Sequence, residues 1–423
     1  MRTLTTGRVA GLRGTLRPPS DKSLTHRAFM LASIASTESI VRDPLLAGDT
    51  RSTIHCLEQM GLVARQDGQN VVLDPSPWIQ PETELDCGNS GTTMRLLSGL
   101  IAARPIKATL TGDVSLTNRP MGRIAEPLRL MGAMVEGHKP PLRIEGGSLH
   151  AIDYTLPVAS AQIKSCIILA ALEASGVTRI TEPSPSRDHT ERLLNALGTR
   201  VHRDGATLSV IASSQFSGFD FSVPADISSA SFFMVAGALA SNAHIRLVEV
   251  GLNPTRTGIL DVFEQVGIKV GIDNRPDRLG EPVGDLELKT TTLLHPFDIE
   301  GSLVPRLIDE IPILAVLATQ CDGKSTIRDA QELRVKESDR IALMVEGLKK
   351  MGAEIEATAD GIIVTGPTPL HGAEIDAHLD HRIAMAFAVA GLIADGSTTI
   401  SGAEAVETSY PDFEKDLWSL AVV

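Results

Sequence analysis

Basic side chains recur at predicted helix starts and in the polar loops between helices. They are Lys22, Arg27, Arg119, Lys336, Arg340 and Arg382. A cation at a helix N-terminus opposes the helix dipole, and an anionic ligand would remove that electrostatic cost. A guanidinium group can bind a carboxylate or phosphate through two parallel hydrogen bonds, and lysine can serve as a point charge or a proton donor. The set predicts sites for two multiply charged anions, although a solvated basic helix start is the alternative for each residue.

Neutral and acidic residues occupy the remaining predicted helix starts. Gly91 begins an apolar run that follows the polar stretch DCGNS, so backbone N–H groups could approach an anion closely there. Ser160 and Gln162 repeat this arrangement with neutral hydrogen-bond donors. Asp309 and Glu310 precede the apolar run IPILAVLA, where helix capping alone could explain them. These residues favour acid–base chemistry by lysine, aspartate and glutamate on anionic substrates.

The sequence lacks the motifs of several other kinds of catalytic site. It contains no G-x-S-x-G, H-E-x-x-H or G-x-x-x-x-G-K-[ST] motif, and its four cysteines form no C-x-x-C pair. We therefore expect no disulfide framework, and neither a metal nor any other cofactor. A net charge of −13 and an aromatic content of 3% disfavour nucleic-acid and anionic-membrane binding. Neither a signal peptide nor a membrane span is expected, so the predicted compartment is the cytoplasm.

The helices and strands expected to position these residues repeat about six times along the chain. Polar helix-start signals recur at intervals of about 70–80 residues, too long for a solenoid repeat, near Ser20, Ser90, Ser160, Ser228, Asp309 and His381. A second series consists of glycines that follow a helix-like segment and precede alternating strand-like residues, namely Gly61, Gly132, Gly198, Gly267 and Gly352. One unit thus reads helix, strand, second helix, glycine stop, strand, turn and strand.

Six such units in 423 residues predict two similar α/β domains of three units each. The sixth unit lacks its final strands, which the strand-like N-terminal segment 3–16 could supply. Both chain termini would then lie in one domain. The predicted domains are residues 1–17 with 226–423, and an inserted domain of residues 18–225.

Eight segments between residues 19 and 413 carry a resemblance, and they read PSDKSLTHRA, GNSGTTMRLL, NRPMGRI, SAQIKS, IDEIPI, LRVKESDRI, DHRIAMA and SYPDF. In sequence and in order they closely resemble the EPSP synthase (3-phosphoshikimate 1-carboxyvinyltransferase) family. SAQIK, RDHTE and NPTR resemble the class II branch of the family. The resemblance implies two domains of three βαβαββ repeats each, an inside-out α/β barrel, with the active site in the interdomain cleft. It also implies transfer of the enolpyruvyl group of phosphoenolpyruvate to the 5-hydroxyl of 3-phosphoshikimate.

The resemblance also implies roles for individual residues. Those expected to bind 3-phosphoshikimate are Lys22, Ser23, Arg27, Ser160, Gln162, Ser186, Asp309 and Lys336. Those expected to bind phosphoenolpyruvate are Lys22, Gly91, Arg119, Gln162, Arg340 and Arg382. Asn89 and His381 match neighbouring family positions. The position of Gly91 is linked to sensitivity toward glyphosate, a possible inhibitor at the phosphoenolpyruvate site, whereas the class II motifs point toward tolerance, so sensitivity stays open. We expect a monomeric enzyme.

Three residues are the expected catalytic groups. Glu337 would protonate the methylene carbon of phosphoenolpyruvate, Asp309 would take the proton of the attacking hydroxyl, and Lys22 would protonate or screen the departing phosphate. Either carboxylate could then remove the methyl proton. One departure concerns the stretch ETSYP at 407–411, where many family members carry a lysine that reaches phosphoenolpyruvate. Whether Arg340 and Arg382 suffice or Lys415 substitutes stays open.

Three alternatives compete with this interpretation. A UDP-N-acetylglucosamine 1-carboxyvinyltransferase shares the fold, but typically has Lys-Asn in place of Lys22-Ser23 and a reactive cysteine in the loop that here spans 112–123, which contains none. An RNA 3′-phosphate cyclase would need a nucleic-acid track that the charge disfavours. A non-catalytic anion-binding scaffold would bind both ligands without releasing phosphate.

Overall fold

The chain folds into two units, and both termini belong to the same one. The computed structural model describes residues 2–213 and 215–422. The terminal unit comprises Met1–Pro19, Pro224–Pro276 and Pro282–Val423, and the inserted unit comprises Ser20–Val223 and Asp277–Glu281. The predicted boundaries lay after residues 17 and 225. No local pattern in the sequence indicates that Asp277–Glu281 belongs to the inserted unit.

The elements follow the predicted order through the inserted unit. Two N-terminal strands come first, in the terminal unit: β1 (Thr3–Gly7) and β2 (Gly11–Leu16). The inserted unit then contains α1 (Lys22–Ala32), β3 (Ser39–Arg42), α2 (Gly48–Gln59), β4 (Val63–Asp67), β5 (Asn70–Asp74), β6 (Leu85–Asp86), α3 (Gly91–Ala102), β7 (Lys107–Thr111), α4 (Val114–Thr117), α5 (Gly122–Leu130), β8 (Met134–Glu136), β9 (Leu142–Glu145), β10 (Asp153–Thr155), α6 (Ala161–Ala171), β11 (Val177–Thr181), α7 (His189–Ala196), β12 (Val201–Asp204), β13 (Thr207–Ile211) and β14 (Asp220–Ser222).

Three sheets of the same topology make up the inserted unit. Their strand orders are β14-β3-β5-β4, β6-β7-β9-β8 and β10-β11-β13-β12. In each, the first two strands of the order are parallel and the remaining pairs are antiparallel. A parallel pair needs a crossover connection, which a single helix supplies between β6 and β7 and between β10 and β11. Strand β14 ends the segment yet provides the first strand of the first βαβαββ repeat.

The terminal unit contains the other three repeats, except that Asp277–Glu281, where one strand ends and the next begins, belongs to the inserted unit. Its remaining elements are α8 (Ile227–Leu239), β15 (His244–Gly251), α9 (Gly258–Val266), β16 (Gly271–Arg278), β17 (Glu281–Lys289), β18 (Asp298–Ile299), α10 (Val304–Leu307), α11 (Ile311–Ala318), β19 (Gly323–Ile327), α12 (Arg340–Lys350), β20 (Glu354–Ala357), β21 (Ile362–Gly366), β22 (Glu374–Asp376), α13 (His381–Gly391), β23 (Ser397–Ser401), α14 (Phe413–Leu420) and β24 (Ala421–Val422). Three 3₁₀-helices span Gly301–Leu303, Gln331–Val335 and Ala403–Thr408.

The two N-terminal strands both pair within the terminal unit, but in different repeats. Strand β1 pairs antiparallel with β23 in the sheet β1-β23-β22, where it takes the place of the sixth repeat's missing strand. Strand β2 pairs parallel with β15 and supplies the first strand of the fourth repeat. The other two sheets have the orders β16-β17-β15-β2-β24 and β18-β19-β21-β20.

Each unit has its own hydrophobic core, formed largely by the first helix of each repeat. Helices α8 and α11 are buried almost throughout, whereas the second helices, such as α7 and α9, keep a polar face in solvent. All five predicted glycine stops have positive φ angles, between 87° and 109°. No helix within residues 2–213 and 215–422 is long and apolar enough to cross a lipid bilayer.

Two predicted helix starts need adjustment. Helix α8 begins at Ile227 because Asp226, not Ser228, caps it, accepting a hydrogen bond from the Ser228 N–H. Asp309 lies in the turn before α11, whose N-cap residue is Glu310. The other starts agree with the sequence, with Asp21, Ser90, Ser160 and Asp380 as side-chain caps.

Helices α3 and α6 pack closely at Gly99, and this contact generates a stability prediction. A Cβ added to Gly99 would lie 2.2 Å from the Cys166 carbonyl oxygen. In an open helix, glycine to alanine gains about 0.5–1 kcal/mol, but overpacking costs about 1–3 kcal/mol. We expect Gly99→Ala to lower the free energy of unfolding in urea by about 1–3 kcal/mol.

The matched control is Gly48→Ala at the start of α2, where an added Cβ meets no atom within 4 Å. That variant should keep the free energy of unfolding or raise it by at most about 1 kcal/mol. A Gly99→Ala protein as stable as the parent would show that the two helices can move apart without loss.

Candidate functional site

The predicted site residues divide between the two units. The inserted unit holds Lys22, Ser23, Arg27, Gly91, Arg119, Ser160, Gln162 and Ser186, and the terminal unit holds Asp309, Lys336, Glu337, Arg340 and Arg382. Among the described residues, no group of His, Cys, Asp and Glu side chains is arranged to hold a metal ion. All four cysteines are buried and unbridged.

Lys22 is the first residue of α1 and has a carboxylate partner. Its Nζ lies 2.9 Å from Asp49 Oδ2, and only 16% of its side chain and 12% of the Asp49 side chain are exposed. Asp49 stands in the first turn of α2, where the helix dipole favours a negative charge. The carboxylate offsets the unfavourable position of the ammonium group, and an anionic ligand at Lys22 would have to share that cation with Asp49.

Arg27 is buried and hydrogen-bonded within the inserted unit. Its Nε donates to Thr190 Oγ1 at 2.8 Å, and its NH2 donates to Ser165 Oγ at 3.0 Å. Its NH1 donates to the Ser23 carbonyl at 2.9 Å. Burial lowers the pKa of Arg27 to about 10, against the opposing effect of Glu191 and other carboxylates, so the group stays charged at neutral pH.

Gly91 and Gln162 both lie against Arg95, and Gly91 also faces Arg119. The Arg95 NH1 donates to Gln162 Oε1 at 2.5 Å, and Gln162 Nε2 donates to Thr92 Oγ1 at 2.9 Å. A Cβ on Gly91 would lie 2.9 Å from Arg95 NH1 and 3.4 Å from Arg119 NH1. A side chain at this position would therefore collide with Arg95 and crowd Arg119.

Arg119 is oriented by a short polar chain. Its NH2 donates to Asn89 Oδ1 at 2.6 Å and to Ser115 Oγ at 3.3 Å. The Asn89 amide in turn donates to Asp113 Oδ2 at 2.7 Å, which fixes the amide with its oxygen toward the guanidinium. Asn89 therefore orients Arg119 in this structure, a contact that its place in the motif did not reveal.

Ser186 rests on a buried ion-pair network. Its N–H and hydroxyl both donate to Glu182 Oε1. Glu182 also pairs with Lys164, whose Nζ lies 3.2 Å from Glu182 Oε2 and 2.8 Å from Glu191 Oε1. Lys164 is completely buried and donates to the Ser186 carbonyl as well. Burial raises the pKa of Glu191, although Lys164 opposes this effect.

Sequence reasoning missed this network, although one signal pointed to it. Lys164 is a lysine within the otherwise apolar helical run IKSCIILAA, a position where an unpaired charge would be costly. Its partners lie far along the chain and cannot be recognised from local spacing.

Ser160, two residues before Gln162, caps α6 by accepting a hydrogen bond from the Ile163 N–H at 3.4 Å.

In the terminal unit, Asp309 lies among the three predicted cations. Its Oδ1 is 3.4 Å from Arg340 NH1, 3.7 Å from Lys336 Nζ and 3.8 Å from Arg382 Nε. Arg382 NH1 also donates to the Asp309 carbonyl at 3.2 Å. Only 13% of the Asp309 side chain is exposed. The starts of α12 and α13 thus meet the turn before α11 at a single carboxylate.

Arg340 forms the centre of this cluster. Its Nε donates to Asp380 Oδ2 at 2.8 Å and its NH2 to Glu337 Oε2 at 2.6 Å. Burial disfavours the charged guanidinium, but Asp380, Glu337 and Asp309 outweigh it and raise the pKa of Arg340. Asp380 also caps α13 through the Arg382 N–H at 2.9 Å. An anion bound at Arg340 would compete with Glu337, whose side chain is 25% exposed.

Charged side chains in and next to the stretch 407–411, which lacks the family lysine, are exposed to solvent. Glu407 pairs with Arg2 at 2.9 Å, and both side chains are substantially exposed. Lys415 has 79% of its side chain exposed, and its Nζ lies 3.8 Å from Asp412 Oδ1. Between them Tyr410 is buried and donates to Asp416 Oδ2 at 2.9 Å. The described contacts of Lys415 therefore do not connect it to Arg340 or Arg382, the other cations proposed for phosphoenolpyruvate.

Comparisons with known proteins agree along almost the whole chain. The family model described as EPSP synthase (3-phosphoshikimate 1-carboxyvinyltransferase) matches residues 7–417. A 3-phosphoshikimate 1-carboxyvinyltransferase of Geobacillus kaustophilus is 50% identical over 421 residues, covering 97% of this chain and 98% of the relative. One of Shouchella clausii is 48% identical over 418 residues, covering 97% of each.

Solved structures agree with these sequence matches. An EPSP synthase structure from Acinetobacter baumannii has a TM-score of 0.89 at 41% identity, covering 100% of this chain and 98% of the other. The enolpyruvyl transferase NikO from Streptomyces tendae has a TM-score of 0.80 at 18% identity, covering 99% and 96% of the two chains. The second likeness shows the fold alone.

The buried network behind Ser186 generates a prediction. Lys164→Met would leave the buried carboxylates of Glu182 and Glu191 without their lysine, and breaking a buried ion pair costs about 3–5 kcal/mol. We expect a loss of about that size in the free energy of unfolding, measured in urea at neutral pH.

Lys107→Met is the control, because Lys107 pairs with Glu145 at 2.9 Å on the surface with 69% of its side chain exposed. This variant should lose at most about 1 kcal/mol. Equal effects of the two substitutions would rule out a special contribution from the buried lysine.

Proposed function

Because the chain belongs to the EPSP synthase family, we infer that it transfers the enolpyruvyl group of phosphoenolpyruvate to the 5-hydroxyl of 3-phosphoshikimate. The products are 5-enolpyruvylshikimate 3-phosphate and inorganic phosphate, so the protein is a transferase of the shikimate pathway to aromatic amino acids. The observation that carries this conclusion is 50% identity to a named 3-phosphoshikimate 1-carboxyvinyltransferase over 97% of the chain.

We propose that residues of both units bind the two substrates. For phosphoenolpyruvate they are Lys22, Gly91, Arg119, Gln162, Arg340 and Arg382, and for 3-phosphoshikimate they are Lys22, Ser23, Arg27, Ser160, Gln162, Ser186, Asp309 and Lys336. Charge supports the proposal, because phosphate and carboxylate groups suit guanidinium and ammonium donors. Close approach supports it as well, since a side chain at Gly91 would meet Arg95 and Arg119.

The proposed reaction is an addition followed by an elimination. The 5-hydroxyl oxygen forms a bond to C2 of phosphoenolpyruvate, its proton passes to Asp309, and Glu337 protonates the methylene carbon to give a methyl group. The C2–O bond to phosphate then breaks in the tetrahedral intermediate, with Lys22 protonating or screening the departing phosphate. One of the two carboxylates removes a methyl proton, which restores the double bond and leaves the enol ether.

The position of Asp309 supports its role as the proton acceptor. Its backbone carbonyl is held by Arg382 and its side chain lies near Lys336 and Arg340. Lys336 is proposed to bind the acceptor, and Arg340 and Arg382 are proposed to bind phosphoenolpyruvate. Together they would bring the attacking hydroxyl and C2 close to a carboxylate of fixed position. Glu337 shares Arg340 with Asp309, so the expected acid and base bind the same guanidinium group.

Finer properties follow as further parts of the proposal. We propose that glyphosate can occupy the phosphoenolpyruvate site beside Gly91, that the enzyme acts as a monomer, and that it works in the cytoplasm. The sister reaction on UDP-N-acetylglucosamine has less support. Its typical reactive cysteine has no counterpart in the loop 112–123, and the four cysteines of the chain are buried elsewhere.

Release of inorganic phosphate from phosphoenolpyruvate tests the function directly. We expect release only when 3-phosphoshikimate is present, and none with UDP-N-acetylglucosamine. Asp309→Asn and Glu337→Gln should each lower turnover by about 10²–10⁴-fold, the usual contribution of general acid–base catalysis. Asp412→Asn, which alters an exposed carboxylate paired with Lys415, serves as the control and should keep full turnover.

Equal use of UDP-N-acetylglucosamine would contradict the proposed acceptor. Tight calorimetric binding of both substrates without phosphate release would instead indicate an anion-binding scaffold.

A further inference from the structure

Glu310, the neighbour of Asp309, carries a buried carboxylate that the proposed mechanism does not use. The residue is completely buried. Its Oε1 accepts a hydrogen bond from Ser228 Oγ, and its Oε2 has no hydrogen-bond partner among residues 2–213 and 215–422. Because burying a carboxylate is costly unless it is paired and hydrogen-bonded, this placement calls for a physical reason.

Ser228 connects Glu310 to a buried arginine. Arg256 NH2 donates to Ser228 Oγ at 2.6 Å, so the serine oxygen is an acceptor there. The hydroxyl hydrogen is consequently directed to Glu310, which can only accept when ionised. The chain of donors thus has a fixed direction, from the Arg256 guanidinium through the Ser228 hydroxyl to the Glu310 carboxylate.

The start of α8 anchors the other end of this chain. Arg256 NH2 also lies 2.9 Å from Asp226 Oδ1, and Asp226 caps α8 by accepting from the Ser228 N–H at 2.9 Å. Arg256 is only 2% exposed. The fourth helix start in the sequence carries none of the predicted ligand-binding residues. It instead provides a rigid support to which Glu310 is attached.

The turn that carries Asp309 is therefore held on two sides. On one side Arg382 donates to the Asp309 carbonyl, and on the other the Glu310 side chain is fixed at α8. The Glu310 N–H also donates to the Leu307 carbonyl at 2.9 Å, which closes the turn. The carboxylate of Asp309 is 3.4–3.8 Å from three cations, so a small rotation of the turn would change all three distances.

We propose that Glu310 is a positioning residue, which holds Asp309 in its reactive orientation through Ser228 and Arg256. It touches no reacting atom and acts only through its neighbour. The inference rests on the proposed function in one respect, namely that Asp309 accepts the proton of the attacking hydroxyl.

A double-mutant cycle on the full-length enzyme tests this role. Misplacement of a catalytic group by about 1 Å can lower rates by about 10²-fold, so we expect Glu310→Ala to lower kcat by about 10–100-fold. The KM for 3-phosphoshikimate should change by less than about threefold, since an interaction used mainly in the transition state alters kcat. Glu310→Gln retains an oxygen that can accept from Ser228 and should recover most of the rate.

The Asp309→Asn background separates positioning from a general structural effect. If Glu310 acts through Asp309, adding Glu310→Ala to Asp309→Asn should lower kcat by less than about a further threefold. Glu300→Ala, which removes an exposed carboxylate paired with Arg328 in the same unit, is the control and should leave kcat unchanged in both backgrounds.

The outcomes distinguish the two levels of the proposal. Equal fold losses from Glu310→Ala with and without Asp309 would overturn the positioning role and leave the proposed function intact. Near-normal turnover of Asp309→Asn alone would instead overturn the base assignment, and with it this inference. If Glu310→Ala does not fold, Ser228→Ala removes the linking hydroxyl while keeping both charges, and the same non-additivity with Asp309→Asn is expected.

Discussion

The ion pair between Arg340 and Asp380 is the contact on which the proposed ligand-binding residues of the terminal unit depend. Arg340 is the first residue of α12 and is almost completely buried, while Asp380 caps α13. The 2.8 Å bond between them joins two helix starts from different repeats. Arg382 follows in the first turn of α13, so the pair also sets the position of the second guanidinium. A buried guanidinium is tolerated only because carboxylates surround it.

The same physical arrangement recurs in the inserted unit. There Lys22 pairs with Asp49, and Lys164 pairs with Glu182 and Glu191. In both units, carboxylates of the chain itself pair with the cations and orient them. Such preorganisation spares the ligand the energy of gathering like charges, which favours binding of an anion at a prepared position.

The repeat pattern made much of the fold predictable, because its signals are local. Helix caps such as Ser90 and glycine stops such as Gly267 act within one turn of chain, and their residue types reveal them. Ser228 shows the limit of this approach. Asp226 and Ser228 are both good capping residues, and only the folded chain shows that the aspartate caps α8 while the serine binds Glu310.

The partners of the site residues were not predictable in this way. Asp49, Glu182 and Arg256 resemble ordinary surface charges in the sequence, because their partners lie 18–28 residues away along the chain and meet them only when the elements pack together. The assignment of Asp277–Glu281 to the inserted unit is likewise a long-range property. Motif resemblance supplied the ligand-binding candidates, and the structure adds the carboxylates and amides that orient them.

The most direct test of this account is the KM for phosphoenolpyruvate of Arg340→Lys. Lysine keeps the positive charge, but one ammonium group cannot reproduce the planar fork that binds Asp380 and Glu337 together. The account predicts that this KM rises by about tenfold or more, while Arg328→Lys, at an exposed pair with Glu300, leaves it unchanged. An unchanged KM and kcat in Arg340→Lys would contradict the claim that the buried fork organises the site.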